Sequence, residues 1–356
     1  MKITIDCRHI DSSGIGVYSR ECLSFFLDSE NTFFLIGDAE KLKPFTGHQN
    51  AEIIPCTIKP FSPRDTFMLP KSILRKINGS DLFYSPYFNI PCGIRVPVYT
   101  TIHDIIFPDM PELVSAPGLW IRMFFYRRSF RLSKKIFTVS NFSKSRIEYY
   151  SKGKKPVIVT QNAIQSHFLN NSPETRGTEK KDFILFVGNI KKHKGLDCLL
   201  EAFTEARKSG LNQMLLIVGS SKDFRSKDNS FRDKLSIFDS EEVKFTGFIR
   251  NDELRRLYAE ASLLVQPSLY EGFGLPPLEA MYNGTMALIS DIPVFHEIYD
   301  EFPVTFFRAG DSYDLKEKLL SLLLSRKPQT ISLSDQLLNK YSYKRTASII
   351  LEELET

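Results

Sequence analysis

The sequence predicts an α/β protein with two doubly wound domains, each built on a parallel sheet. Three observations support this prediction. The chain has 356 residues, which exceeds the usual size of one hydrophobic core and favours two domains. Short apolar strand patterns alternate with amphipathic helix patterns along most of it. A polar segment rich in turn-forming residues, "NNSPETRGTEKKD" at 170–182, interrupts this alternation and is the predicted linker.

The first predicted domain, residues 1–168, begins with the strand "KITID" and a glycine-containing loop that leads into a helix over 15–26. The strand patterns that follow are "FFLIG", "LFYS", "PVYTTI", "KIFTVS" and "PVIVT". Apolar periodicity predicts two further helices, over 120–132 and 143–150. Strands and helices that alternate in this way predict a parallel sheet covered by helices.

The second predicted domain, residues 180–335, repeats the pattern more regularly. Its strand patterns are "FILFVG", "MLLIVGS", "VKFTGF", "LLVQPS" and "TMALIS". The first helix places Leu196, Leu199, Leu200, Phe203 and Ala206 on one face, with Gly210 at its end. Asn251 or Asp252 is the predicted cap of a second helix that reaches Ala261. Ligands of such sheets bind beyond the carboxyl ends of the strands, so a cleft between the two domains is the expected site.

Composition excludes several classes of protein. With 42% hydrophobic and 25% charged residues, the chain is typical of a water-soluble globular protein. No apolar run reaches the roughly 18 residues that cross a bilayer. Asp6, Arg8 and His9 interrupt the apolar residues at the start, where a secretory signal would be continuous, so we expect a cytoplasmic protein. Five scattered cysteines without a Cys-x-x-Cys pair predict reduced thiols and no zinc site.

Charge is distributed unevenly. Residues 1–170 carry 22 Lys and Arg against 14 Asp and Glu, and most of the excess lies in 122–155, where Glu148 is the only acidic residue. A basic aromatic segment of this kind is compatible with an anionic membrane surface, a phosphorylated substrate or nucleic acid. An ordinary helix with an apolar inner face and a basic outer face explains it equally well.

One segment carries the main functional signal. "YEGFGLPPLEAM", residues 270–281, follows the strand "LLVQPS" and places Glu271 in a loop and Glu279 in the first turns of a helix opened by two prolines. Gly272 and Gly274 leave backbone N–H groups accessible beside the start of that helix, which favours a phosphate. The two carboxylates would then accept hydrogen bonds from hydroxyl groups. A nucleotide sugar has both parts, because a diphosphate joins its two polyols.

"EGFGLPPLEA" resembles the Glu-x7-Glu signature of the retaining glycosyltransferases of family 4, and five further segments resemble that family in the same order. They are "RHIDSSGIGVYS", "TIHDIIF", "TVSNFSKSRI", "FVGNIKKHKGLDCLLEAF" and "YSYKRTASIILEEL". The resemblance covers almost the whole chain. It implies the GT-B fold of two facing Rossmann-like domains with an inter-domain cleft, in which helix 341–356 completes the acceptor-side domain.

The resemblance also implies site residues. Glu271, Lys194 and His103 would be catalytic: Glu271 binding donor-sugar hydroxyls, Lys194 neutralising the diphosphate, and His103 contacting the donor sugar or its surroundings. Glu279 would bind the ribose. The remaining donor-binding residues are Gly16, Phe248, Ile249, Gly272, Phe273, Gly274 and Leu275, with Gly16 approaching the diphosphate from the first domain and Phe248 and Ile249 lining the base pocket.

One part of the pattern departs from the family. Asn189 and His193 stand where relatives commonly carry an arginine that binds phosphate. We expect Arg8, Lys191, Lys192 or His193 to compensate for it. The pair Asp38 and Glu40 resembles a metal-binding acidic pair, but the two-domain pattern argues against that use, and we expect no metal or other cofactor.

The predicted function is therefore transfer of a hexose, with retention, from a nucleotide sugar to a saccharide or lipid-linked saccharide in bacterial polysaccharide or lipopolysaccharide assembly. The forms "SGIGVY" and "EGFGLPPLEAM" resemble mannosyltransferases that use GDP-mannose. Peripheral contact with the inner face of an anionic membrane through 122–155 is a further hypothesis. The alternatives are a nucleotide-sugar epimerase of the same fold and a non-catalytic binder of carbohydrate or nucleic acid. We expect no nucleic-acid partner, because no RNA or DNA motif is present.

Overall fold

The computed structural model describes residues 1–11, 13–169, 178–219, 242–324 and 330–356. The chain divides into two compact units. Unit 1 comprises Met1–Gln165 and Tyr341–Thr356, and unit 2 comprises Ser166–Lys340. Of the predicted linker, residues 170–177 lie outside the described residues, and its last two residues already belong to a strand.

Unit 1 contains a parallel sheet of seven strands in the order β3-β2-β1-β4-β5-β6-β7. The strands are β1 (Lys2–Asp6), β2 (Thr32–Gly37), β3 (Ala51–Pro55), β4 (Leu82–Ser85), β5 (Val98–Thr101), β6 (Ser133–Thr138) and β7 (Val157–Val159). Its first helices are α1 (Ser13–Phe26), α2 (Pro63–Phe67), α3 (Lys71–Asn78), α4 (Ile106–Asp109), α5 (Ala116–Leu132) and α6 (Asn141–Ser151). The order of the strands changes direction between β1 and β4, which makes the sheet doubly wound.

Unit 2 contains a parallel sheet of six strands in the order β10-β9-β8-β11-β12-β13. The strands are β8 (Lys181–Val187), β9 (Met214–Val218), β10 (Val243–Gly247), β11 (Ala261–Gln266), β12 (Ala287–Ser290) and β13 (Val304–Phe307). The helices are α7 (Ser166–Leu169), α8 (Leu196–Lys208), α9 (Asn251–Glu260), α10 (Leu275–Tyr282), α11 (Pro293–Tyr299), α12 (Ser312–Leu323) and α13 (Asp335–Lys340). The strand order changes direction between β8 and β11.

The last helix, α14 (Tyr343–Glu355), belongs to unit 1 although it follows unit 2 in the sequence. Thr346 on this helix donates a hydrogen bond to the backbone oxygen of Gln161 at 2.6 Å. The ring of Tyr343 lies 6.2 Å from that of Tyr18 on α1. The end of the chain therefore packs against the first helix.

The amphipathic pattern of α8 is confirmed. Its five predicted core residues are each at most 2% exposed, and they pack with the buried strands of unit 2. Gly210 follows the capping residue Ser209 and adopts φ +98, and the N–H of Leu211 bonds back to the backbone oxygen of Ala206. Such a left-handed residue ends a helix at the least cost when it is glycine.

The predicted cap of α9 is wrong. Arg250 occupies the cap position without a side-chain hydrogen bond, and Asn251 and Asp252 lie inside the first turn. The Asp252 carboxylate instead accepts a hydrogen bond of 2.7 Å from the Arg250 guanidinium. An acidic residue in the first turn still suits the positive end of the helix dipole.

All five cysteines are free, with Cys7, Cys22 and Cys56 buried and the other two half-buried. In the part of the chain that the structure describes, no helix combines the length and apolar character that crossing a bilayer requires.

Candidate functional site

The loops that carry the predicted catalytic residues of unit 2 follow two neighbouring strands. Lys194 lies in the loop after β8, and Glu271 lies in the loop after β11. These strands pair with each other at the point where the strand order changes direction. Ligands of doubly wound sheets bind at the carboxyl ends of such a strand pair. The position of both residues is therefore that of a ligand site.

Lys194 and Glu271 form an ion pair in this place. The Lys194 Nζ donates to Glu271 Oε1 at 2.7 Å and to Oε2 at 2.8 Å. The two side chains are 19% and 9% exposed. A lysine that contacts both carboxylate oxygens fixes the plane of the carboxylate, and the pair as a whole is nearly neutral.

Two buried polar side chains also reach the Glu271 carboxylate. The Ser268 hydroxyl donates to Glu271 Oε1 at 2.7 Å. Gln266, the last residue of β11, donates from Nε2 to the Ser268 hydroxyl at 2.9 Å, and its Nε2 lies 3.5 Å from Glu271 Oε1. Neither residue was predicted from the sequence, although the polar end of "LLVQPS" is a signal that could have identified them.

The two loops contact each other through their backbones. The N–H of Leu269 donates to the backbone oxygen of His193 at 2.8 Å. Gly195 adopts φ +67, and a Cβ at this position would lie 1.8 Å from the backbone oxygen of Pro267. Gly195 is thus the residue that lets the loop after β8 approach the loop after β11.

The Gly-rich segment after Glu271 turns the chain into α10. Gly274 adopts φ +88, and a Cβ there would lie 2.4 Å from the ring of Phe295. Phe273 is 2% exposed, so its side chain packs in the core, while Gly272 and Leu275 are half-buried. The predicted helix start with proline in its first turn is confirmed.

Glu279 lies on α10 and is 4% exposed. Its Oε2 accepts a hydrogen bond of 2.8 Å from the hydroxyl of Tyr258, a residue that was not predicted from the sequence. Burial and the neighbouring Glu279 carboxylate raise the pKa of Tyr258 well above its ordinary value. Tyr258 therefore stays protonated and acts as a donor to Glu279 at neutral pH.

The candidate cations for the phosphate are not equivalent. Burial and the neighbouring Lys194 lower the pKa of His193 to about 4, so its imidazole is neutral at pH 7. It does not replace the charge of the expected arginine. Asn189, Lys191 and Lys192 are exposed on the same loop, and the two lysines remain the available cations beside Lys194.

Arg8 of unit 1 is engaged elsewhere. Its guanidinium donates to Asp6 from Nε at 2.8 Å and pairs with Asp65 through Nη1 at 2.5 Å. The side chains of Arg8, Asp6 and Asp65 are at most 4% exposed. Two carboxylates already neutralise this arginine, and its contribution to a phosphate site stays a prediction.

The other predicted site residues of unit 1 are Gly16 and His103. Gly16 lies within α1, where a Cβ would be 2.5 Å from the backbone oxygen of Ile10, so close packing alone requires glycine there. His103 follows β5, and its Nε2 lies 3.1 Å from the backbone oxygen of Pro86. Burial lowers its pKa to about 4. The neutral ring must then carry its proton on Nε2, which leaves Nδ1 as an acceptor.

Phe248 and Ile249 follow β10, which β9 separates from β8 in the sheet. Phe248 is 93% exposed and Ile249 is half-buried. The structure thus brings together Lys194 and Glu271, while these two predicted base-binding residues follow a more distant strand.

Several basic side chains of the segment 122–155 are bound within the protein, which its sequence does not indicate. Several of its cations are already bound: Arg122 stacks on Phe107, Arg128 donates to Ile90 and Pro91, Lys135 pairs with Glu353, and Arg146 pairs with Asp109. The outer face of α5 carries exposed apolar side chains at Trp120, Ile121 and Phe124, followed by exposed Arg127 and Arg131. The alternative of an apolar inner face and a basic outer face therefore holds only in part, because Tyr126 and Phe130 are buried but the outer face is apolar as well as basic.

The acidic pair Asp38 and Glu40 makes local contacts within the chain. Asp38 accepts a hydrogen bond from the N–H of Glu40, and Glu40 pairs with Lys43. Among the described residues, no group of three or more His, Cys, Asp or Glu side chains is arranged to hold a metal ion. The independence from a metal stays a prediction.

Comparison with known proteins found a family model that matches the region containing Lys194, Glu271 and Glu279. Residues 169–342 match the family model described as glycosyl transferases group 1. The match covers just under half of the chain. The match confirms the family resemblance found in the sequence, and the group 1 domain coincides with most of unit 2.

Two curated relatives of this chain are named as mannosyltransferases. The O-antigen chain mannosyltransferase RfbU of Salmonella typhimurium is 29% identical over 239 residues, 65% of this chain. The O-antigen chain mannosyltransferase B of Escherichia coli is 26% identical over 227 residues, 61% of this chain. The matches span 62% and 58% of the lengths of these relatives.

A solved structure extends the likeness to the whole chain. HepE of Anabaena, in complex with UDP and glucose, covers 100% of this chain and 99% of its own with a TM-score of 0.74 and 18% identity. At this identity the likeness shows the fold alone. It confirms the predicted GT-B fold class, with parallel-sheet units on both sides of the domain boundary.

Proposed function

We propose that this protein is a retaining glycosyltransferase that moves a hexose from a nucleotide sugar to a saccharide or lipid-linked saccharide acceptor in surface polysaccharide biosynthesis. Mannose from GDP-mannose is the specific donor we propose. The Lys194 and Glu271 pair at the change of strand order carries this proposal. The group 1 domain and the names of the O-antigen mannosyltransferases support it.

The site has the parts that a nucleotide sugar needs. Lys194 supplies a positive charge, and the start of α10 adds the positive end of a helix dipole, both suited to a diphosphate. Glu271 remains able to accept hydrogen bonds from sugar hydroxyls, because a carboxylate has more lone pairs than its present donors occupy. Glu279, held by Tyr258, would accept from the ribose hydroxyls.

In the proposed reaction the departing diphosphate helps to deprotonate the acceptor hydroxyl on the side from which it leaves. Configuration at the anomeric carbon is retained. The protein then contributes positioning and charge stabilisation rather than a strong base. Lys194 would stabilise the charge that develops on the leaving diphosphate, with Lys191 and Lys192 as further cations.

No metal ion is part of this proposal. The roles of Gly16, His103, Phe248 and Ile249 stay predictions.

A thermal-shift screen with nucleotide sugars tests the proposed donor. We expect GDP-mannose to raise the melting temperature, and less so in the Glu279→Ala variant. Incubation without acceptor should leave the nucleotide sugar chemically unchanged. Isomerised nucleotide sugar in that incubation would identify an epimerase instead. A protein stabilised by no nucleotide sugar would contradict the proposal and favour a non-catalytic binder.

We also propose that the outer face of α5 contacts an anionic membrane surface on the cytoplasmic side. Trp120, Ile121 and Phe124 are 70%, 50% and 45% exposed, and Arg127 and Arg131 continue the same face. Apolar side chains beside arginines match an acyl boundary beneath anionic headgroups. This face would bring the protein to a lipid-linked acceptor.

Flotation with liposomes tests the membrane contact. At low salt we expect binding to vesicles that contain phosphatidylglycerol and none to vesicles of phosphatidylcholine alone. Joint substitution of Trp120→Ser and Phe124→Ser should abolish binding, whereas Tyr313→Ser, which removes an aromatic side chain that is 66% exposed in unit 2, should not. Absence of the wild-type protein from the floating fraction at low salt would contradict the proposal.

A further inference from the structure

A chain of three buried hydrogen-bonding groups ends on the Glu271 carboxylate. Gln266 and Ser268 are both 0% exposed, and Glu271 is 8% exposed. Nε2 of Gln266 contacts the Ser268 hydroxyl at 2.9 Å, and that hydroxyl contacts Glu271 Oε1 at 2.7 Å. None of these contacts involves an exposed side chain, so water competes weakly for them.

The direction of each hydrogen bond follows from the charge of Glu271. An ionised carboxylate only accepts, so the Ser268 hydroxyl must donate its single proton to Glu271. The oxygen of that hydroxyl can then accept, and Gln266 supplies an N–H to it. The amide of Gln266 is thereby oriented with its nitrogen toward Ser268.

This orientation leaves the amide oxygen of Gln266 without a hydrogen-bond partner among the residues that the structure describes. An unsatisfied buried acceptor lowers the stability of the folded state. A leucine or methionine at the end of this central, fully buried strand would avoid that cost. The glutamine is therefore better explained by what its N–H does for Ser268 than by stability.

The loop that carries Ser268 is also fixed against the loop that carries Lys194. Leu269 donates its N–H to the backbone oxygen of His193 at 2.8 Å, next to Lys194 in the sequence. Ser268 and Lys194 thus approach Glu271 from two loops whose backbones are joined. Oε1 of Glu271 accepts from both of them, at 2.7 Å each.

We infer that Ser268 and Gln266 are positioning residues, which hold the Glu271 carboxylate in one orientation for the sugar of the donor. The inference rests on the proposed function for its chemical meaning. The Glu271 carboxylate contacts Lys194 through both oxygens. The hydrogen bonds from Gln266 to Ser268 and from Ser268 to Glu271 determine that Oε1 is the oxygen that also faces Ser268. Hydrogen bonds to charged groups of this kind typically affect turnover by about 10-fold to 100-fold when removed.

Kinetic variants test the inference. In Ser268→Ala we expect kcat to fall about 10-fold to 100-fold with the donor KM changed by less than about 3-fold, because the diphosphate and ribose contacts remain. Ser268→Thr, which keeps the hydroxyl, should recover most of the loss. Gln266→Leu removes the group that donates to Ser268 and should also lower kcat. Gln266→Glu should be at least as severe, because an ionised carboxylate cannot donate to Ser268.

Ser262→Ala is the matched control. Ser262 is also buried on β11, but its hydroxyl donates to the backbone oxygen of Lys181 at the opposite end of the strand. This variant should keep wild-type kcat and KM. Equal kcat values for wild type, Ser268→Ala and Gln266→Leu would overturn the inference. So would an equal loss in Ser262→Ala and Ser268→Ala, which indicates a general packing effect.

Crystal structures of the wild type and of Ser268→Ala separate this inference from the proposed function. We expect the Glu271 carboxylate of the variant to rotate or to occupy two conformers, while Lys194 and the backbone of both loops stay in place. An unchanged carboxylate in the variant would overturn the inference, whether or not transfer is detected. A wild-type protein that transfers no sugar would contradict the proposed function alone, because the comparison of carboxylates still decides the positioning role.

Discussion

Lys194 and Glu271 each compensate the charge of the other in a largely buried place. Removing one partner leaves the second charge unpaired and also removes a group proposed to stabilise the transition state. We therefore expect Glu271→Ala and Lys194→Ala each to lower turnover on the order of 100-fold or more. Steady-state kinetics with saturating donor would measure the change.

Lys208→Ala provides the control for these substitutions. Lys208 also pairs with a glutamate, Glu205, at 2.8 Å, but both side chains are more than half exposed on α8. We expect its turnover to equal that of the wild type. Near wild-type transfer by both Glu271→Ala and Lys194→Ala would remove these residues from the proposed mechanism.

Glu279 is proposed to bind the ribose and not the transferred sugar. We expect Glu279→Ala to raise the donor KM with little change in kcat, because ribose contacts contribute equally to the ground state and the transition state. Tyr258→Phe, which removes the hydroxyl that donates to Glu279, should raise the KM less. Titration of the donor in initial-rate assays would show the effect. An unchanged KM with collapsed turnover would contradict the ribose role.

The sequence was informative about site residues only where spacing and order carry the signal. The motifs that resemble the family place Lys194 and Glu271 after strands, and these strands, β8 and β11, are neighbours in the sheet of unit 2. Glu279 lies on helix α10, as the motif predicts. The roles of Ser268 and Gln266 depend on which side chains meet across a loop. The neutral state of His193 depends on its burial, which a single sequence does not specify.

The loop after β8 depends on one glycine. In Gly195→Ala the new methyl group would collide with the backbone of Pro267, and the residue would also keep an unfavourable positive φ. We expect a loss of about 3 kcal/mol or more in the free energy of unfolding. Denaturant unfolding of purified variants would measure it.

Gly210→Ala is the comparison that isolates the collision. Gly210 also has a positive φ, +98, but nothing lies within 4 Å of a Cβ there. Its substitution should cost only about 1 kcal/mol, from backbone strain alone. Equal losses in the two variants would show that the approach of Gly195 to Pro267 is not what requires glycine.

Most strands and long helices were predictable because their apolar residues recur with a clear period. The missed strands β3 and β13 are the edges of their sheets. Each is only partly buried, so its sequence has no continuous apolar run. The helices that were not predicted are α2, α3, α4, α7, α11, α12 and α13. All but α12 have at most eight residues, too few for a periodic pattern to stand out. Helix α12 has 12 residues and buries Leu315, Leu319 and Leu323 on one face, a pattern that could have predicted it. Tertiary packing decides the short elements, and local sequence does not.

The stability of the whole protein should depend on pH through its buried histidines. Burial lowers the pKa of His103 and of His193 from 6.5 to about 4. Between these values the unfolded chain binds a proton that the native state does not, so stability is retained above pH 6.5 and falls as the pH decreases toward 4. At pH 5 each histidine would lower the free energy of unfolding by about 2 kcal/mol.

Urea unfolding at pH 7 and pH 5 tests this dependence. We expect the difference between the two pH values to be smaller in His193→Asn than in the wild type, by about 2 kcal/mol. The buried carboxylates of the Arg8 cluster also respond to pH, but they contribute equally to both proteins and cancel in the comparison. The same pH dependence in both proteins would show that His193 does not resist protonation in the native state.

The whole molecule combines a group 1 glycosyl transferase domain in unit 2 with a second parallel-sheet unit that carries an exposed apolar and basic helix. The function proposed for it is transfer of a sugar from a nucleotide donor. The most direct measurement is the release of nucleoside diphosphate from GDP-mannose with and without a saccharide or lipid-linked saccharide acceptor. The account predicts release that depends on the acceptor and a product whose new bond keeps the anomeric configuration of the donor. No acceptor-dependent release from any nucleotide sugar, across a panel of such acceptors, would contradict it.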